Sequence, residues 1–356
     1  MRQTNRQIRQ NAEKHSQRRV ALFNSRSNST LIHPKVAVVV LSYNRPGDLN
    51  DCISSILAQT YSPIDIIVID NNSSVQIDGQ IVGTGHFFRL KSNLGWGGGN
   101  NFGLRTAMER ENDYALLVND DAVLAPDCIE KLVSVARSFP KVGIVGPIIY
   151  YYSDKKRVWH AGGHFDIKVL KASTRGLSQV DFGQFDAIGQ FFVSGCCMMI
   201  SRQLISTIGY LEDRWFMGRE EDDFNLRARK AGFLTLVVAS AKAWHKVALR
   251  PKIESTNLEY SNGLSTFLLI QKHFGKLSVI RFFLIQSTFT LFGLTRTLNS
   301  RRDILESHPS LPKLISILCA SLDFVFFCIK GREMSLSLVN MTHLPGYRLF
   351  TFLSSR

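Results

Sequence analysis

The side chains best equipped for chemistry in this chain are carboxylates, and they come in groups. Asp70 closes the apolar run Ile64–Asp65–Ile66–Ile67–Val68–Ile69, and Asn119–Asp120–Asp121 closes the run Tyr114 to Val118. Glu220–Glu221–Asp222–Asp223 precedes Arg227 and Gly232, and a histidine follows in Trp244–His245–Lys246. Singly, each has a plain structural explanation: a strand-end Asp can cap the next turn, acidic residues stabilise a helix start against its dipole, and a His beside a Trp can be a core or surface residue. Acidic groups at the ends of successive apolar runs are also what a site needs to bind a hard divalent cation through oxygen and to take up a proton from a reacting hydroxyl.

The elements that must position these groups alternate between two periods. Short β-branched runs at Val36 to Ser42, Ile64 to Asp70 and Tyr114 to Val118 read as buried strands. Between them lie helix-period segments. After the turn Asn44–Arg45–Pro46–Gly47, Asp48 is the expected N-cap of a helix whose apolar face is Leu49, Cys52, Ile53, Ile56 and Leu57. Gly95–Trp96–Gly97–Gly98–Gly99–Asn100–Asn101 reads as a glycine-rich loop leading into a helix near Phe102 to Arg110, and Pro126–Asp127 opens a helix with Ile129, Leu132, Val133 and Ala136 inward. Further strands are expected at Val142 to Ile149, Phe191 to Ile200 and Phe233 to Val238, with a helix through Phe224 to Ala231. The pattern predicts an α/β fold, a mostly parallel sheet flanked by helices, with its ligand site at the carboxyl ends of the strands.

Composition adds boundaries. The chain has 356 residues, is 45% hydrophobic and carries a formal net charge of +14. That length builds a full core without disulfides, and the six cysteines show neither a CxxC pair nor zinc spacing, so they read as reduced core residues of a cytosolic protein. The basic charge is concentrated in the flanks. Residues 1–34 read as a disordered basic tail without the apolar stretch of a secretory signal; their Arg-rich composition is also that of a transit peptide, but no amphipathic stripe accompanies it. Residues 35–275 hold the alternating pattern. Residues 276–356 read as a helical region with apolar stretches at Leu277 to Leu294 and Leu311 to Ile329; Arg281, Gln286, Lys313 and Asp323 within them favour helices lying in a membrane interface over spanning ones. A soluble helical subdomain is the other reading of this region.

The residues, in their order, resemble the family 2 glycosyltransferases, in particular the rhamnosyltransferase-like branch. The resemblance rests on Val40–Leu41–Ser42–Tyr43–Asn44–Arg45, Ile69–Asp70–Asn71–Asn72–Ser73, Asn93–Leu94–Gly95 with Gly99–Asn100–Asn101–Phe102–Gly103, Asn119–Asp120–Asp121, Gly195, and Glu220–Glu221–Asp222–Asp223 with Arg227 and Gly232. It implies the GT-A fold and a nucleotide-sugar donor, a dTDP- or UDP-sugar, held by Ser42, Tyr43, Asn44, Asp70, Asn72, Asn93, Gly95, Gly99, Asn100 and Asp120, with Asp70 reading the base. It implies a Mg2+ or Mn2+ ion on Asp121 and His245, although Asn119 stands where the family's DxD motif has its first Asp. Glu221 takes the place of the catalytic base, with Glu220 and Asp222 beside it. The implied reaction is an inverting transfer of a sugar, rhamnose in that branch, to a saccharide or lipid-linked acceptor in cell-surface polysaccharide or glycolipid synthesis. Its implied place is the cytosolic face of a membrane, as a peripheral protein.

Rival functions leave less of the sequence accounted for. The glycines are not followed by Gly-Lys-Ser/Thr and do not form a GxGxxG turn after the first strand, which speaks against a P-loop or dinucleotide site. A nucleotidyltransferase would share the nucleotide-binding sheet but not the Glu220–Glu221 segment followed by His245. Nucleic acid is not an expected partner, because the C-terminal aromatics sit in apolar runs and not among basic residues. A non-catalytic membrane scaffold is the remaining alternative.

Overall fold

A computed structural model describes residues 33–79, 83, 85–166, 168, 171–185, 188–247, 252–282, 284 and 285. The expected tail over 1–34 and the apolar stretch Leu311 to Ile329 lie outside the described residues, apart from positions 33 and 34, and so does most of the stretch from Leu277. Among the described residues no helix is long and apolar enough to cross a membrane.

The core is one sheet with helices on both faces. Strands β1 (Val36–Ser42), β2 (Ile64–Asp70), β3 (His86–Arg89) and β4 (Tyr114–Asn119) are joined by helices α1 (Pro46–Leu57) and α2 (Gly95–Glu109). Then come β5 (Ala122–Leu124), α3 (Cys128–Ser138), β6 (Val142–Tyr151), β7 (Asp154–His160), the hairpin β8 (Gly163–Asp166) and β9 (Lys171–Thr174), β10 (Ile188–Gln190), β11 (Cys197–Ser201), α4 (Arg202–Ile208), α5 (Glu220–Lys230), β12 (Leu234–His245) and α6 (Lys252–Phe274). The path through the sheet is β10-β12-β6-β11-β4-β1-β2-β3. Strand β1 shows why the sheet is covered on both sides: Val36, Val38 and Val40 pack with Leu49, Cys52, Ile53, Ile129 and Leu132 of α1 and α3, while Ala37 and Val39 pack with Leu104, Leu204 and Phe224 of α2, α4 and α5. Period-two side-chain alternation thus feeds two helical layers.

The sheet departs from the mostly parallel expectation in its second half. Strands β4, β1, β2 and β3 are parallel, but β11 runs antiparallel to both β4 and β6, and β10, β5 and β7 are antiparallel to their partners. The long apolar run Phe191 to Ile200 is accordingly not one strand: it crosses the sheet edge and enters β11 only at Cys197. Helix α1 begins at Pro46 with Arg45 at the cap, so Asp48 is in its first turn, where it pairs with Lys246 at 3.0 Å and caps nothing; Leu57, expected inside, is 60% exposed. The glycine-rich stretch is not a loop but the first turns of α2. Helix-interior glycines cost stability, and here they are required by contact: a methyl on Gly99 would sit 2.4 Å from Leu41 Cδ1, and one on Gly95, whose φ is +73°, would sit 1.9 Å from the Phe216 carbonyl oxygen. The described cysteines, Cys52, Cys128, Cys196 and Cys197, are buried and free, as expected.

Candidate active site

Register brings the polar residues to one edge. Ser42 is the Cα partner of Asp70 across β1 and β2, and Leu41 that of Asn119 across β1 and β4, so three parallel strands end side by side. The antiparallel entry to β11 then adds Gly195 and Cys196, the latter accepting the Asn119 N–H at 3.0 Å. Strand β12 ends beside β5, where the Lys246 N–H donates to the Asp121 carbonyl at 2.8 Å, which delivers His245 to the Asp121 side chain.

At the ends of β1 and β2 the predicted residues brace one another. The Ser42 hydroxyl donates to Asp120 Oδ2 at 2.8 Å, and the Tyr43 N–H reaches the same oxygen at 3.3 Å. Asn44, at φ +58°, accepts the Ser74 N–H at 2.7 Å, and its own N–H donates to the Ser73 hydroxyl. Asp70 is fully buried with both oxygens taken, one by the Ser73 N–H and the other by Arg89, each at 2.8 Å; its carboxylate holds the turn that displays exposed Asn72. Asn93 accepts from Asn71 and from the Gly95 N–H, both at 2.9 Å, and Asn100 is turned inward to the Trp96 carbonyl at 2.9 Å.

Asp121 is the most heavily engaged of the predicted residues. One oxygen is ion-paired to Arg45, and the other lies 2.9 Å from His245 Nε2. Burial pushes its carboxyl upward, but His245 and Arg45 outweigh that and hold it below the ordinary Asp value. His245 itself, T-stacked on Trp159 at 4.5 Å, is destabilised as a cation by burial, yet Cys196 and Asp121 raise it to about 10. Asp120 goes the other way, to about 7, because burial and the Asp121 charge outweigh its hydrogen bonds.

The acidic helix comes to this edge through Trp96. The indole Nε1–H donates to Asn119 Oδ1 at 3.1 Å, so the residue that departs from the DxD pattern is held by a tryptophan. A methyl on Gly195 would meet the same ring at 2.6 Å and the Glu221 Cβ at 3.5 Å, which places Gly195 in contact with both. Glu220 is 1% exposed, accepts the Gly218 N–H at 2.7 Å through one oxygen, leaves the other without a partner among the described residues, and is driven well above the ordinary Glu range by burial and Glu221. Asp222 pairs with Arg219 at 3.1 Å, and burial raises it as well. Glu221 is half-buried, and burial and the Asp222 charge raise it to about 7, outweighing its own backbone N–H and the Arg219 charge. Sequence reasoning places Arg45 and Trp96 within motifs but gives them no role, because their partners Asp121 and Asn119 lie 76 and 23 residues away.

Residues 37–209 match the sequence family described as glycosyl transferase family 2. The chain carries a family 2 glycosyltransferase domain. Over 245 residues, 59% of this chain and 76% of the relative, it is 24% identical to the N-acetylglucosaminyl-diphospho-decaprenol L-rhamnosyltransferase of Mycobacterium tuberculosis. It is 26% identical over 204 residues to a low-salt glycan biosynthesis hexosyltransferase of Haloferax volcanii, covering 55% of this chain and 62% of that protein. The fold is similar to that of GalNAc-T7, crystallised with UDP, GalNAc and Mn2+ (TM-score 0.51, 12% identity, 68% of this chain and 48% of that one), and to S. aureus TarS (TM-score 0.51, 14% identity, 82% and 49%). The chain spans about half the length of those two solved chains. The glycosyltransferase is thus a mixed α/β protein of GT-A type, similar to transferases of the rhamnosyltransferase branch.

Whether the glycosyltransferase residues fit a divalent cation can be tested on the pair they form. His245 Nε2 and Asp121 Oδ1 are 2.9 Å apart, the distance of the hydrogen bond between them, and His245 raised to about 10 keeps a proton there. Among the described residues no group of three or more His, Cys, Asp or Glu is arranged to hold a metal. The pair fits an ion only where the ion takes that proton's place, with its other ligands coming from outside the protein.

Proposed function

We propose that the chain transfers a sugar, rhamnose being the candidate, from a dTDP- or UDP-sugar to a saccharide or lipid-linked acceptor hydroxyl, with inversion and with Glu221 as base. The observation that carries this reading is the contact of Gly195 with both Trp96 and Glu221. It brings the Glu221 side chain, whose carboxyl is raised to about 7, to the glycine that packs on the ring bonded to Asn119.

In this mechanism the Asn44, Asn72 and Ser73 edge seats the nucleoside, and the helix start at Gly95 closes on the sugar. Asp121 and His245 would hold a Mg2+ or Mn2+ ion, which when bound neutralises charge on the diphosphate leaving group. Arg45, already on Asp121, adds a guanidinium suited to phosphate. Glu221 accepts the proton of the acceptor hydroxyl as that oxygen attacks the anomeric carbon, and a pKa near working pH is the condition under which a carboxylate does this well. A single displacement inverts the anomeric configuration.

The mycobacterial relative, named for a lipid-diphosphate acceptor and for rhamnose, supports that choice of substrates. A peripheral position on the cytosolic membrane face belongs to the same proposal. It is supported by Leu277, Ile280 and Leu284, exposed at i, i+3 and i+7 of the helical residues that follow α6. The test is turnover of a panel of nucleotide sugars with Mn2+, with product configuration read by NMR. Release of UDP or dTDP with an inverted product is expected; a retained configuration would remove Glu221 from the base role.

A further inference from the structure

We propose that Lys272 and His273 of α6 are positioning residues for the acidic helix, so that the catalytic unit extends to the end of α6. The inference rests on Glu221 being the base.

Asp223 lies two residues beyond Glu221 in the first turn of α5 and is fully buried. Three cationic or donor groups converge on it: Arg227 Nε at 2.7 Å, Lys272 Nζ at 2.8 Å and His273 Nε2 at 2.7 Å. Burial opposes its charge, but His273, Arg227 and Lys272 overcome that and keep the carboxyl far below the ordinary Asp value. A buried carboxylate satisfied in this way is rigid, because each bond lost would leave charge without solvent.

Arg227 belongs to α5 and ties it to the Ile208 and Tyr210 carbonyls, at 2.8 and 2.6 Å. The two groups from α6 add a second, separate hold on the same carboxylate. Lys272 Nζ also bonds Glu212 Oε2 at 2.9 Å, and Glu212 is the residue whose carbonyl a methyl on Gly97 would meet at 2.5 Å. One ammonium therefore joins the helix of Glu221 to the segment packed against α2, the helix of Trp96. His273 spans α5 lengthwise, with Nε2 on Asp223 and Nδ1 2.9 Å from the Lys230 ammonium at the far end. This assigns the neutral tautomer with hydrogen on Nε2.

The same helix grips the strained turn leading into α5. Ser261 Oγ donates to the Met217 carbonyl at 2.6 Å, and Arg219, at φ +69°, donates to Thr266 Oγ1 at 3.0 Å. Gly218, at φ +110°, packs so closely on Asn262 that a methyl would lie 2.3 Å from its Oδ1. A non-glycine residue such as Arg219 holds a left-handed conformation only where the surroundings over-determine it, and here the surroundings include α6. Misplacing a catalytic group by about 1 Å can cost about 100-fold in rate, so the hold on α5 is a rate determinant without touching substrate.

The experiment is a comparison of kcat, donor KM and the calorimetric Kd for UDP and dTDP in the full chain. Lys272→Met is expected to lower kcat about tenfold or more while nucleotide Kd stays within about twofold, and Lys272→Arg to restore most of the loss. A Lys272→Met protein with wild-type kcat, or one losing kcat and nucleotide affinity together, overturns the proposal. If Lys272→Met does not fold, His273→Gln, which keeps a donor toward Asp223, should retain kcat where His273→Phe loses it; equal losses in the two also overturn it. Glu221→Gln measured alongside separates the two ideas. An active Glu221→Gln overturns both, whereas an inactive Glu221→Gln with a fully active Lys272→Met overturns this one alone.

Discussion

Adding one methyl group at Gly195 should disable the site through Trp96. In Gly195→Ala the new Cβ falls 2.6 Å from Trp96 Cζ2 and 2.7 Å from Cη2. Carbon atoms in contact sit at about 3.5–4.0 Å, so the indole must retreat by roughly 1 Å. Its Nε1–H reaches Asn119 at 3.1 Å, and a retreat of that size ends the hydrogen bond. Overpacking of about 1–3 kcal/mol and a lost bond of about 0.5–1.5 kcal/mol together give a destabilisation of roughly 2–4 kcal/mol. Because the same ring borders Glu221's neighbour and braces the Asn119 edge, kcat should fall about 100-fold, with UDP or dTDP affinity changed only slightly. The assay is a double-mutant cycle with Trp96→Phe, read by urea unfolding and by kcat. The phenyl ring ends short of the clashing atoms, so Gly195→Ala should cost almost nothing further in the Trp96→Phe background, a coupling of at least about 1 kcal/mol. Additive losses would refute the reasoning, as would a Gly195→Ala enzyme of normal kcat.

Other predictions follow from the same edge. A base at about 7 must be unprotonated to act, so kcat/KM should fall about tenfold between pH 8 and pH 6. Glu221→Gln should lower kcat by about 10²–10⁴ and erase that acid limb, which also separates it from any limb due to Asp120. Asp121→Ala removes the partner of Arg45 and of the buried His245, so it should lower the urea midpoint as well as make donor binding indifferent to Mn2+; calorimetry of the folded protein with and without the ion decides the second point. Asp70→Ala removes an acceptor of two short bonds from a buried place while Arg89 stays half-exposed, so a loss of about 1–3 kcal/mol is expected in the urea midpoint, with weaker nucleotide binding as the turn at Asn72 loosens.

The sequence spoke most clearly where local pattern and tertiary demand agree. Strands β1, β2 and β4 and helix α3 combine β-branched or helix-period runs with turn residues at their ends, and they lie where the text places them. The glycines of α2 look like a loop because propensity argues against them in a helix; the decisive fact is the nearness of Leu41, Val39 and Phe216, which no local window contains. Likewise Phe191 to Ile200 looks like one strand because it is apolar throughout, although half of that apolarity serves a crossing segment packed against Trp96. The short strands β3 and β7 to β10 carry little hydrophobic period, and the pairing of Arg45 with Asp121 joins residues 76 apart. The candidate carboxylates were legible by type and order, whereas their differing protonation, with Asp121 held charged and Glu220 and Glu221 pushed toward neutrality, comes from burial that only the fold decides.

The reversed direction of β11 carries a consequence for what holds the acidic helix. Ser42, Asp70 and Asn119 are delivered by strands that are leaving the sheet, whereas Gly195 arrives on a segment that is entering it, between β10 and β11. That segment is buried at Phe192 and Val193, and the Val193 backbone exchanges two hydrogen bonds with the Asn225 side chain of α5, at 3.0 and 2.9 Å. A change of length between Gln190 and Ser194 would therefore be felt first by α5, while the register of the three parallel strands stays as it is.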